Sequence, residues 1–345
     1  MVRGDRPTCG EVVDVAVAER LDLFQRRHPW AGFPLAVVYK YFDDFGAYLA
    51  ALLTYYGFVS LFPLLLLLST ILGFVLSGDQ RLQHEVLSSA LRQFPVIGGE
   101  LATPKRLGGG PVGLVVGIAG SLYGGLGVAQ AFQYATNTVW GVPRNNRPNP
   151  FRARGRSVVL LATVGFAILG TTALSIAGGG GAGVLGTAGK SLALAASVVI
   201  NVAMAIFAFR FAPARRLSVR DVVPGAIAAA LIWQLLQSFG VIYVRHVVER
   251  ASATNAVFAI VLGLLAFLYI TATVVLLCAE INVVRVIGLH PRSLLTPFTD
   301  NVTLTAGDRR AYSRQAKAQR SKGFQHVDVN FDPPAPEPVR EDPGR

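Results

Sequence analysis

Two cysteines in 345 residues, Cys9 and Cys278, cannot build a disulfide framework, and neither stands in a cluster with metal-ligand spacing. The five histidines (His28, His84, His246, His290 and His326) are scattered, no H-x-H-x-D-H-like group occurs, and most acids lie apart from one another. A metal-dependent nuclease needs several converging ligands to activate water, so that chemistry is not expected. A G-x-x-x-x-G-K-[ST] loop is also absent, which excludes the usual phosphate cradle of a nucleotide hydrolase. These absences imply no cofactor, no bound metal and no catalytic residue. Charge is scarce too, with 15% of residues charged against 52% hydrophobic and a mean hydropathy of +0.48. That mixture is far from a soluble domain.

Long apolar runs take the place of charge. The stretch "TYYGFVSLFPLLLLLSTILGFVL", Thr54 to Leu76, holds 23 residues without a formal charge. As a helix it covers the roughly 30 Å of a bilayer's hydrocarbon core. Six such segments occur, at 47–76, 110–136, 157–178, 191–212, 222–244 and 256–284. The expected fold is therefore all-α, a polytopic membrane protein with six transmembrane helices plus interfacial amphipathic helices. Residues 1–46 read as a cytoplasmic N-terminal segment with an amphipathic helix, 47–288 as the six-helix domain, and 289–345 as a basic, Pro-rich, largely disordered cytoplasmic tail. No removable signal peptide is visible, so the first span itself directs insertion.

Lysine and arginine counts orient the bundle. One set of connections, including both termini, carries 25 of them and the other set 7. By the positive-inside rule both termini are cytoplasmic. The net charge of +12 is then a topological signal that meets anionic lipid headgroups, and no nucleic acid partner is expected. Two further segments, "EVVDVAVAERLDLFQRRHPW" before the first span and "RLQHEVLSSALRQF" at 81–94, have amphipathic spacing and either lie at the membrane surface or pack on the spans.

Polar groups inside the spans carry the functional expectation. The second span places Gly113 and Gly117, then Gly120 and Gly124, one helical repeat apart, a pattern for close helix packing or for a loosened, moving helix. Its end puts Gln130, Gln133, Tyr134 and Asn137 on one face, and the fifth span offers Gln234 and Gln237. Such faces are either interhelical hydrogen-bonding glue or a polar substrate path. The sixth span holds Glu280, an acid well inside a hydrophobic helix, with Tyr269 and Thr273 on nearly the same face. Intramembrane acids are costly and mark function or a buried pair; Arg285, five residues on and about 140° around the helix, is a poor intrahelical partner. Pro63 in the first span leaves the Val59 carbonyl without its amide donor, which makes a kink there plausible.

Four segments together, "AALLTYYGFVSLFPLLLLLSTILG", "TNTVWGV", "VVPGAIAAALIWQ" and "LAFLYITATVVLLCAEINVV", resemble the YihY/BrkB family of bacterial inner-membrane proteins over about residues 35–290. Where the family usually reads Gly-Ala-Glu-Leu-Asn, this chain has Cys278, Ala279, Glu280, Ile281 and Asn282. The resemblance implies a multi-pass protein of the bacterial cytoplasmic membrane, with a virulence-factor label for some members. An older family label, ribonuclease BN, is not supported by the scattered histidines and acids. Two function classes remain open. One is a transporter or exporter, of lipid or amphipathic envelope precursors, with Glu280, Gln130, Gln133, Asn137, Gln234 and Gln237 near a cytoplasm-facing cavity between the second, fifth and sixth spans. The other is a non-transporting scaffold for envelope partners. Membrane lipids are expected partners in both, and a homo-oligomer or a partner protein stays open.

Overall fold

A computed structural model describes residues 22, 25, 27–75, 110–179, 186–243, 253–294, 296 and 302–332. Among them are eight α-helices, one 3-10 turn and no strand. The helices are α1 (Pro29–Asp43), α2 (Gly46–Val75), α3 (Gly110–Val139), α4 (Pro150–Gly179), α5 (Gly186–Phe211), α6 (Val219–Tyr243), α7 (Ala253–Ile287) and α8 (Ala306–Ala318). Each of the six apolar segments coincides with one of α2 to α7, to within a turn or two at its ends. Three described stretches are long and apolar enough to cross a membrane: Val115–Val139, Val219–Gln237 and Val261–Ile287. Gly46–Leu61 and Ala195–Phe211 are shorter apolar helices. The segment at 81–94 lies outside the described residues, as does most of the one at 11–30.

The chain divides into two compact units, Met1–Lys40 with Pro143–Asn145 and Val283–Arg345 in the first, and Tyr41–Val142 with Asn146–Asn282 in the second. In the second unit α2 packs on α3, α3 on α4, α4 on α5 and α5 on α6. The α2–α3 contact is antiparallel and uses the glycine pattern. Gly120 faces Pro63, Gly124 faces Ser60 and Gly127 faces the Tyr56 ring, so falling numbers on α3 meet rising numbers on α2. A Cβ at Gly124 would stand 2.5 Å from Ser60 Cα and 2.8 Å from Ser60 N, a distance that only glycine permits. Gly117 is buried as well, while the surroundings of Gly113 are outside the description. Helix α2 continues through Pro63, and the Ser60 hydroxyl donates to the Gly57 carbonyl at 2.9 Å.

Leu49, Ala50 and Leu53 of α2, Ala131 and Ala135 of α3, and Ala272 and Leu276 of α7 form one buried cluster with Tyr41. Away from such contacts the helices are apolar on the outside: Val115 of α3, Phe166 of α4, Val199 of α5, Leu235 of α6 and Leu262 of α7 are all exposed. Exposed apolar helix faces of this extent are surfaces for lipid.

The first unit is held by polar groups. Arg292 Nε and Asp308 Oδ1 form a 2.6 Å ion pair, both side chains fully buried. Asp308 Oδ2 also accepts from Ser293 N, Thr305 N and the Thr305 hydroxyl. Gln25 donates to Asp22 and to the Arg292 carbonyl, and Tyr39 donates to the Leu294 carbonyl at 2.9 Å. Burial raises the Tyr39 hydroxyl above its ordinary value, against the opposing pull of the Arg292 charge. Helix α7 ends at Gly288, whose φ of 68° suits glycine, with Leu289 N returning to the Val284 carbonyl. Where composition leads one to expect a largely disordered tail, α8 forms a capped helix. Thr305 and Asp308 make a reciprocal capping box, and Asp308 is the same residue that pairs with Arg292.

Candidate functional site

The polar residues singled out on α3 and the acid of α7 lie at one end of the second unit, where the start of α2, the end of α3, the start of α4, the end of α5, the start of α6 and the end of α7 meet. Gln234 and Gln237 instead lie towards the far end of α6, roughly 20 Å or more away. Gln133 on α3, 4% exposed, donates to Ser157 Oγ at 2.8 Å and to the Ala153 carbonyl at 3.1 Å on α4. Asn137, also 4% exposed, accepts from Ala214 N at 2.7 Å, in the connection after α5. Gln130 and Tyr134 lie on the other edge of the same face and are exposed, with the Arg147 guanidinium 5.1 Å above the Tyr134 ring. The boundary between protein and surroundings thus runs down the middle of the predicted polar face. Residues 133 and 137, four apart, stay inside and 130 and 134 stay outside, because the face is about 100° wide.

The "TNTVWGV" segment is a helix stop. Gly141 has φ of 59°, Gly141 N donates to the Thr138 carbonyl and Val142 N to the Asn137 carbonyl, the two bonds of a Schellman end. Trp140, 2% exposed, is covered by the Arg215 guanidinium at 5.3 Å. The segment therefore ends α3 and ties it to the α5–α6 connection.

The "VVPG" and "AEIN" segments meet each other. Gly225 N on α6 donates to Asn282 Oδ1 on α7 at 2.8 Å, and a Cβ at Gly225 would overlap the Cys278 carbonyl. Cys278 stands where the family usually has glycine, and it is the backbone of that residue, not its side chain, that faces Gly225. Glu280 lies between Cys278 and Asn282 in sequence but not on their side of the helix. It is about 160° from Asn282 and about 40° from Leu276 around α7. That places it on the face that carries Ala272 and Leu276, the α7 members of the cluster with α2 and α3. Glu280 is 1% exposed. On the same face Thr273 Oγ1 receives a long contact from Tyr41 OH at 3.5 Å, and Tyr269 is 38% exposed. Gln234 and Gln237 are half-buried on α6.

A cleft at this same end was not foreseen from the sequence. It has a volume of about 710 Å³ and lies between the start of α4 and the end of α5, lined by Arg152, Arg156, Arg210, Arg215 and Arg216 among others. None of the predicted path residues lines it. The sequence signal was present as two short arginine-rich connections, but their spacing along the chain does not show that they face each other.

Apolar outer faces, glycine-mediated helix contacts and buried polar ties at one end define an all-helical membrane protein. The chain belongs to the virulence factor BrkB family, whose model matches residues 37–292, from within α1 to Arg292. It is 22% identical over 278 residues to the inner membrane protein YhjD of Escherichia coli (strain K12), covering 74% of this chain and 81% of that one. No solved structure matches the chain.

Proposed function

We propose that the protein crosses the bacterial inner membrane six times, with both termini cytoplasmic, and works as a transporter or exporter of lipid or amphipathic envelope precursors. Alternation of direction is supported by the gathering of helix ends described above, since successive helices α2 to α7 start and finish at that end in turn. The same end carries the arginines of the second-to-third and fourth-to-fifth connections, which favours the cytoplasmic side. The inner-membrane placement follows the Escherichia coli relative, an inner membrane protein.

The transport reading rests on one observation: Glu280 is 1% exposed within an apolar helix. A carboxyl group in such a place can hold or release a proton as its surroundings change, which is the elementary step of proton-linked movement. The scaffold reading is favoured by a different observation, the commitment of Gln133 and Asn137 to neighbouring helices and loops. The two are separated by lipid translocation in reconstituted vesicles, using headgroup-labelled lipids and a quencher that cannot cross. Wild type should move lipid above empty vesicles, and Glu280→Gln should lose at least about tenfold of that rate at an unchanged melting temperature. No movement with or without a proton gradient sinks lipid translocation and leaves the scaffold. Collapse of Glu280→Gln expression makes the acid a structural group.

A further inference from the structure

The arginine cleft is unusual in how its charges are held. Its described lining contains five arginines and no acid. Arg156 donates to the carbonyls of Phe211 and Pro213 and lies 4.8 Å from the Phe211 ring centre. Arg210 Nε donates to the Leu217 carbonyl at 2.9 Å, and Arg215 rests on Trp140. These partners are carbonyls and rings, so they orient guanidinium groups without neutralising them. Arg156 Nε is a buried donor with no acceptor among the described residues. Arg152 and Arg216 are exposed at the rim.

Five like charges around one concavity repel each other, and an anion inside relieves that repulsion. Guanidinium forks match phosphate oxygens in particular. The cleft runs along one side of the first turns of α4, at Arg152, Gly155, Arg156 and Val159, and the neighbourhood of a helix N-terminus favours negative charge. Apolar surface continues from the rim. Val159 and Phe211 line the cleft, while Phe151, Val158 and Phe166 are exposed on α4.

We propose that this cleft is a phosphate-binding site, with an anionic phospholipid headgroup or a soluble phosphomonoester as the source of the phosphate. The apolar flank favours the lipid, whose chains would lie along α4. Placement at the membrane edge rests on the six-span reading, but the site does not depend on transport.

The test uses full-length protein in detergent and native mass spectrometry with phosphatidylglycerol, phosphatidylcholine and glycerol 3-phosphate as probes. Arg152→Gln/Arg216→Gln removes the two rim charges and no described internal bond. Arg154→Gln/Arg309→Gln removes two exposed charges outside the cleft as a control. Wild type should prefer phosphatidylglycerol to phosphatidylcholine, and the rim variant should bind it about thirtyfold more weakly while the control keeps wild-type affinity. If glycerol 3-phosphate shows that arginine dependence and phosphatidylglycerol has no advantage, the source is a soluble phosphate. Equal binding by wild type and rim variant, or an equal loss in rim variant and control, overturns the site. Binding is read at equilibrium without vesicles. Arginine-dependent binding with no translocation therefore sinks only the transporter, and translocation without such binding sinks only the cleft.

Discussion

Replacing Asp308 by alanine should release the C-terminal segment while leaving the membrane helices folded. Both Arg292 and Asp308 have 0% side-chain exposure, and the 2.6 Å contact between them is a direct ion pair. The other carboxylate oxygen holds Ser293 N at 3.0 Å and Thr305 N at 2.9 Å, so the same group caps α8 and pins the chain after α7. Tyr39 and Tyr312 flank the guanidinium at 5.9 and 5.4 Å, but ring faces do not replace a full negative charge. Breaking a buried pair from one side costs about 3–5 kcal/mol, because the remaining charge stays in a desolvated place. That is about two to almost four powers of ten in the opening equilibrium. Hydrogen exchange by mass spectrometry on the full chain in detergent reads it directly, following 289–294 and 302–320 with α3 and α7 as internal references. Asp308→Asn should fall between wild type and Asp308→Ala, since the amide keeps one acceptor and loses the charge. The double replacement Arg292→Met/Asp308→Leu should recover part of the loss, because the guanidinium that lost the Asp308 carboxylate is then gone as well. An acceleration below about tenfold in Asp308→Ala would refute the reasoning.

The helix contacts make two further predictions. Gly124→Ala pushes a methyl group against the Ser60 backbone and should cost about 1–3 kcal/mol, seen as a lower melting temperature in detergent. Gly155→Ala, with nothing within 4 Å, is the control and should be neutral or slightly stabilising in the α4 helix. Gly225→Ala should drive α6 away from the Cys278 carbonyl and break the 2.8 Å bond to Asn282. Its melting temperature should therefore fall at least as far as that of Gly124→Ala, and wild-type melting of Gly225→Ala would show that the α6–α7 contact is looser than described.

Hydropathy and helix geometry are local properties, and that is why so much of the architecture could be read from the chain. The six long apolar segments, of which Thr54 to Leu76 is one, each coincide with one long helix, because a run of apolar residues can bury its backbone only by satisfying its own hydrogen bonds. The glycines at 120 and 124 were recognisable as a close-packing pattern for the same reason, since spacing alone puts them on one side of α3. Which helix they meet is not a local property, and only the fold pairs them with Pro63 and Ser60 of α2. The polar face of α3 shows the same limit. Periodicity put Gln130, Gln133, Tyr134 and Asn137 together, and packing against α4 and the α5–α6 connection then buried two and exposed two. Asn282 and Gly225 are 57 residues apart, and Arg292 and Asp308 are 16 apart, so no periodicity connects either pair. The arginines of two separate connections converge on one cleft only because α4 and α5 run antiparallel beside each other. Short-range patterning thus determined where the helices are and which faces are greasy. The tertiary structure decided which polar groups find each other, because contacts between distant residues depend on how the helices pack.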